Sequence, residues 1–358
     1  MKMLLRMPWY VPQIVLILLF MLTTGSGMLF AQQAGGAPRG TRGQGTIEVR
    51  VASPLPRESP WGRTLERIAA EWSRITNRQV TMRALHGGTE GGEGRMHLSL
   101  ASNNIQAAIF TSFGLSDIYP AILTFSSPFL IRTKAELNVV MNELQSDIEA
   151  ELNSGDYFMV AWSKAGFVNV FSRDPVFTPD DLRRMRIASN AEAGSMNAVF
   201  STMGFQVVET EWVDVGPKIA TGAVAAIYQS PAAVAALQLH SRMRNMLALN
   251  LAPILGGIVI NQTTWRRIGE LNPNYQAELL RATRRIAAEF DDSMERTIND
   301  AILAMQRDGL VVNTPTPEQE QLWFADIDRA MPALVGESYD RALYQRINEI
   351  LTRYRSGS

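Results

Sequence analysis

The sequence predicts an α/β fold, and three features carry that reading. Ile47, Val49 and Val51 alternate with polar neighbours as a half-buried strand does, and Val80, Met82 and Ala84 alternate again after a helical stretch. Short strand-like apolar runs recur at 107–110, 158–162, 186–188, 206–208, 225–228 and 258–260, with helical stretches between most of them. From Asn274 the pattern changes to one long helix whose single apolar face is marked by Tyr275, Leu279, Ile286, Phe290, Met294, Ile298 and Ile302, running to about Met305.

Taken in order, the chain opens with Lys2 and Arg6, an apolar run from Ile14 to Leu22, and small residues at Gly25, Ser26, Gly27 and Ala31. That succession of positive, apolar and small is a secretory signal, read here as residues 1–31 with cleavage after Ala31. A retained membrane anchor is the alternative, because apolar residues resume at Met28; Thr23 to Gly27 interrupt a run that would need about 20 residues to span. Either way the body is exported. Cleavage would leave 32 basic against 35 acidic residues, net −3. Residues 32–46 are glycine-rich and lack apolar periodicity, which makes them a flexible linker.

The folded part starts at Ile47. Trp61, Leu65, Ile68, Ala69, Trp72 and Ile75 recur at helical steps and form a stripe that must cover a sheet, so strand, helix and strand make a parallel βαβ unit. Beyond the long helix, which at about 1.5 Å per residue could lie across two lobes, helices are expected near 317–331 and 339–354 with no strand between them.

Composition narrows the function. A length of 358 residues, 46% hydrophobic and 19% charged, supports one large or two moderate cores. Basic and acidic residues number 34 and 35 with no basic block, so nucleic acid is not an expected partner. No cysteine is present, which removes disulfides, thiolate metal sites, thiol nucleophiles and a lipid-attached cysteine. His86, His97 and His240 are widely separated and suit no zinc spacing.

The glycine-rich stretch Gly87-Gly88-Thr89-Glu90-Gly91-Gly92-Glu93-Gly94 lacks the Gly-Lys-Ser/Thr ending of a phosphate loop, and its two glutamates would repel an anion. It reads as a mobile loop ahead of a helix at about 93–101, with Glu90 or its backbone amides as candidates to line a ligand cleft. No strained serine elbow with an acid and a histidine is visible, and Asp180-Asp181 suit the N-terminal turn of a short helix. Nothing calls for an enzyme or a cofactor.

Several motifs stand in a specific order: Pro54 and Pro60 after the first strand, Pro128-Phe129-Leu130-Ile131-Arg132, Gly166-Phe167, Thr178-Pro179-Asp180-Asp181-Leu182 with Met185-Arg186-Ile187, Gly222 through Gln229-Ser230-Pro231, and Asn261 with Trp265. Together with the long helices that follow, this resembles the solute-binding subunit of tripartite ATP-independent periplasmic (TRAP) transporters, of the dicarboxylate-binding, DctP-like type. The resemblance implies a two-lobe periplasmic-binding-protein fold with an interlobe cleft and a long spanning helix, lobe I comprising about 47–167 and 254–285 and lobe II about 168–253 and 286–355. It implies a periplasmic receptor that hands a small molecule to membrane permease subunits.

The resemblance also implies an arginine directly after Ile187 and another after the Gly-Phe pair, to pair with a substrate carboxylate. This chain has Ala188 and Val168 there, and Val224-Ala225-Ala226 where the family has Val-Asp-Gly. Trp212 falls where the family presents an aromatic to the ligand, and Gln229, beside Tyr228, where it often presents an asparagine. A cleft stripped of cations penalises a buried carboxylate, so the expected ligand is uncharged or largely apolar. The rival is an exported interaction protein on the same fold that acts through a protein partner such as a periplasmic tetratricopeptide-repeat (TPR) protein; a ligand-sized cavity between the lobes separates the two.

Overall fold

The computed structural model describes residues 45–190, 193–211 and 214–357. The signal segment 1–31 and most of the linker therefore lie outside the described residues, as does Trp212. Among the described residues no helix is long and apolar enough to cross a membrane.

The elements follow in the order β1 (Ile47–Ala52), α1 (Pro60–Ile75), β2 (Val80–Leu85), α2 (Glu93–Ala101), β3 (Ala107–Thr111), α3 (Ser112–Ser116), α4 (Lys134–Asn153) and β4 (Tyr157–Ser172). Next come α5 (Pro179–Arg183), β5 (Arg186–Ser189), α6 (Gly194–Thr202), β6 (Gln206–Glu209), α7 (Val215–Ala220), β7 (Ala226–Gln229), α8 (Pro231–Ala236), β8 (Asn245–Leu247) and β9 (Ala252–Asn261). The chain closes with α9 (Gln262–Leu271), α10 (Pro273–Arg307), β10 (Val311–Asn313), α11 (Pro317–Leu334) and α12 (Arg341–Ser356).

Local chemistry explains the first unit. The alternation of β1 puts Ile47, Val49 and Val51 inside and Glu48 outside. Ser59 caps α1 by accepting the Gly62 N–H at 3.0 Å, and Pro60 supplies a first helical residue whose missing N–H costs nothing there. Leu65, Ile68 and Trp72 then face inward, and β2 returns parallel to β1. At α5 a capping box joins Thr178 and Asp181: the Asp181 carboxylate accepts from Thr178 N at 2.9 Å and Phe177 N at 3.1 Å, which together with the Thr178 hydroxyl and Arg184 holds its carboxyl below the ordinary range despite burial.

The strands order as β2-β1-β3-β9-β4-β7-β5-β6, with β8 beside β4 and β10 beside β8. β4 and β9 run antiparallel along most of their length and join the two halves of this sheet. In the first half, one cluster gathers Val49, Val51, Ile258 and Ile260 under α1, α9 and α10, and a second gathers Ala108, Phe110 and Val259 under α2, α4 and α12. In the second half, Ile187 and Ala226 pack with α6 and α11, and Ala188 and Ile227 with α7, α8 and the end of α10. Successive strand residues point to opposite faces, so each half is covered on both sides.

The helix α10 has 35 residues, about 50 Å at 1.5 Å per residue. Its Leu279 and Ile286 belong to a first-half cluster and its Met305 to a second-half cluster, so it spans both. The glycine-rich stretch is a turn with left-handed Gly87, Gly88 and Gly91, tied down where Gly87 N donates to Leu55 O at 2.9 Å and Gly88 N to Ser53 O at 3.1 Å.

Candidate functional site

Between the sheet's two halves lies a half-open cavity of about 310 Å³. It lies at the carboxyl ends of three strands, where open α/β folds leave room for ligands: Thr111 of β3 leading into Ser112, Ser189 of β5 leading into Asn190, and Tyr228 with Gln229 of β7. The crossing strands supply its back wall through Val168 on β4 and Ala252 to Leu255 on β9.

On the second-half side the Tyr228 and Ser189 hydroxyls meet at 2.9 Å. Ser189 Oγ also donates to Asn197 Oδ1, and Asn197 Nδ2 donates to Asn190 O at 3.1 Å and to Glu209 Oε1 at 3.3 Å. Burial pushes the Tyr228 phenol up from its ordinary range, against the opposing pull of the Ser189 hydrogen bond, so it stays a neutral donor and acceptor at any working pH. The ring of Phe200 meets that of Tyr228 edge-on at 5.2 Å and fixes its place. Gln229 Oε1 accepts from Ser230 N at 2.8 Å, which orients its amide NH₂ as a donor.

On the first-half side one carboxylate oxygen of Glu93 accepts three bonds, from Gly114 N at 2.7 Å, Thr111 Oγ1 at 3.0 Å and Thr111 N at 3.1 Å. Ser112 Oγ donates to Leu255 O at 2.9 Å and ties the end of β3 to the back wall. Glu93 is the one charged residue among the described lining residues; no arginine, lysine or histidine is among them.

Four of the six residues singled out from sequence, Val168, Ala188, Tyr228 and Gln229, lie in this one cavity. Glu90 does not line it; Glu93, at the start of α2, does. Trp212 lies outside the described residues. Sequence reasoning missed Thr111, Ser112, Ser189 and Asn190, and their position at or just past the carboxyl ends of predicted strands is the signal that finds them.

A second cavity of about 380 Å³ lies on the other face of β4, against α10. Its charged groups are committed to one another and to the fold: Lys134 pairs with Glu295 at 3.0 Å, Lys164 Nζ donates to Asn138 at 2.7 Å, and Asp291 accepts from Lys164 N at 2.9 Å. No group of three or more histidine, cysteine, aspartate or glutamate side chains among the described residues could hold a metal.

The model of the family described as bacterial extracellular solute-binding protein, family 7 (DctP), matches residues 51–337. The chain belongs to this family. That family is one of extracellular solute-binding proteins, receptors and not enzymes. No curated protein matches the chain. Among solved structures it is similar to a TRAP periplasmic solute-binding protein from Ralstonia eutropha with bound (S)-2-acetolactate, at 18% identity and TM-score 0.77, covering 86% of this chain and 99% of that one. A Roseobacter denitrificans protein with bound β-D-glucuronate gives 18% identity and TM-score 0.76 over 84% and 99% of the two chains. One from Desulfovibrio salexigens with bound orotic acid gives 15% and 0.74 over 86% and 97%. At these identities the likeness carries the two-lobe fold, in which the cavity described above is the interlobe cleft.

Proposed function

We propose that this DctP-family receptor captures an uncharged or largely apolar small molecule between its lobes and delivers it to the permease subunits of a TRAP transporter in the membrane. One observation carries the ligand part: no cation is found among the described cavity-lining residues, and Val168 and Ala188 line the wall where the family resemblance implies arginines. Aliphatic walls, hydroxyls and an amide can hold a neutral molecule, while a carboxylate held there would be partly desolvated with no cation to pair with. Trp212 joins the proposed ligand contacts by resemblance alone. The 310 Å³ cavity favours a receptor over the TPR-partner alternative, which needs a filled cleft.

A second reading has an observation of its own, since the similar structures named above hold acetolactate, glucuronate and orotate. It carries an acid ligand over to this chain. Native mass spectrometry of the protein purified from the periplasm, followed by organic extraction, decides between the two: a neutral copurified compound supports the proposal, and a carboxylic acid released in stoichiometric amount sinks it. Calorimetric titration with glucuronate and succinate gives the same decision without a copurified ligand.

A further inference from the structure

We propose that the second cavity, on the face of β4 away from the interlobe cleft, is a binding site of its own, and that it takes a small zwitterion with an apolar side chain, an α-amino acid such as leucine. This goes beyond the receptor reading and does not rest on it. The cavity, of about 380 Å³, draws its wall from α4, from β4, from β8 with the residues after it, and from α10. Successive residues of β4 point to opposite faces, so Val168 meets the interlobe cleft while Phe167 and Asn169 meet this cavity. Its charges are matched save for two. Lys134 is ion-paired with Glu295 at 3.0 Å and with Asp292 at 3.4 Å. Lys164 Nζ donates at 2.7 Å to Asn138, a neutral amide, and makes no ion pair among the described residues. Asp291, more than nine-tenths buried, accepts from Ser163 Oγ and Lys164 N through Oδ1 alone, and Oδ2 accepts no hydrogen bond among the described residues. Burial raises the Asp291 carboxyl and the Lys164 charge pulls against that rise, so the two groups stand in each other's field without pairing. A cation and an anion that face one cavity and do not pair leave a place for an anionic group beside Lys164 and for a cationic group beside Asp291. A ligand with a single charge fills one place and leaves the other charge uncompensated, whereas a zwitterion fills both. Leu137, Phe167 and Ile298 supply the apolar wall for its side chain.

The test titrates three probes calorimetrically into the full-length exported protein, Asp291→Asn and Lys164→Gln: L-leucine, isocaproate, which lacks the ammonium, and isoamylamine, which lacks the carboxylate. Asp291→Asn keeps an oxygen for the Ser163 and Lys164 donors and loses only the charge. The parent is expected to bind leucine at least about tenfold more tightly than either truncated probe, a comparison that needs no variant. Each variant should lose about tenfold or more for leucine; Asp291→Asn should then bring leucine and isocaproate within about threefold of each other, and Lys164→Gln leucine and isoamylamine. Saturating leucine should raise the Tm of the parent and leave that of both variants unchanged. A leucine signal that both variants keep in full places the amino acid elsewhere and overturns the proposal. Loss in one variant alone overturns the two-point contact. A parent that binds no leucine, or binds a truncated probe as tightly, overturns the ligand class. None of these outcomes bears on the ligand of the interlobe cleft.

Discussion

The hydroxyls of Tyr228 and Ser189 meet at 2.9 Å across neighbouring parallel strands, each at or beside the strand's carboxyl end. The pair joins the cavity wall to Asn197 and through it to Glu209, so a hydrogen-bonded chain runs behind the site. Tyr228→Phe removes one end and leaves Ser189 bonded to Asn197. The expected cost is about 1 kcal/mol, the net worth of one hydrogen bond, seen as a fall in Tm of roughly 2 °C with the far-ultraviolet spectrum unchanged. An unchanged Tm would mean that Ser189 gains nothing from the phenol.

Ala188→Arg restores a cation at a position where the family resemblance implies one, yet it should not produce a good receptor for acids. The new guanidinium enters a cavity that Glu93 also lines, and the internal carboxylate competes with the ligand for it. Calorimetry with succinate and glucuronate is expected to show weak binding for Ala188→Arg, and a gain of about tenfold or more only when Glu93→Gln is added. Tight acid binding by the single variant would show that the two side chains do not meet.

Much of this architecture is legible in the sequence because apolar periodicity reports burial directly. The stripe of α1 and the alternation of β1 follow from residue spacing, and the long helix expected from Asn274 to about Met305 lies within two residues of both ends of α10. Strands β8 and β10 are not visible there: each has three residues, and their pairing joins Asn245 to Val311, a contact that no local pattern encodes. The site divides along the same line. Val168, Ala188, Tyr228 and Gln229 stand in recognisable motifs, whereas placing α2 at about 93–101 does not say which of Glu90 and Glu93 meets the cavity. That depends on the path of the turn ahead of it, where Gly87, Gly88 and Gly91 take left-handed φ, and glycines offer no periodicity to read that path from.

Stability should depend on pH through Asp291. Burial, the largest influence, pushes its carboxyl above the ordinary 3.8, against the lowering pull of the Lys164 N–H, the Lys164 and Lys134 charges and the Ser163 hydroxyl. Between 3.8 and the raised value the folded chain therefore holds more protons than the unfolded chain, so this group's contribution to stability falls as pH rises through that window and stays low above it. Asp291→Asn keeps an oxygen to accept from Lys164 N and Ser163 Oγ and removes the buried charge. Its Tm is expected to exceed the parent's at neutral pH, with the difference closing as pH falls toward 3.8. A variant less stable than the parent at neutral pH would show that the charge is compensated after all.

Gly166 on β4 leaves little room for a side chain. Its φ of +92° lies in the left-handed region, and it sits in the register shift between Lys164 and Phe167 where β4 departs from regular pairing with β9. A Cβ there would also overlap Ile298 Cδ1 on α10, the helix that spans both halves. Gly166→Ala thus meets two penalties, backbone strain and overlap, together about 1–3 kcal/mol or more. Adding Ile298→Ala opens the space but leaves the φ unchanged. Scanning calorimetry should show Gly166→Ala well below the parent and the Gly166→Ala/Ile298→Ala protein below Ile298→Ala by a smaller margin, the coupling between them measuring the overlap alone. Equal margins in the two backgrounds would place the whole cost in the backbone and leave the close approach of α10 without consequence. Because Val168 stands two residues further along the same strand and lines the cavity, the strained variant should also bind its copurified ligand less tightly, while Ile298→Ala alone should not.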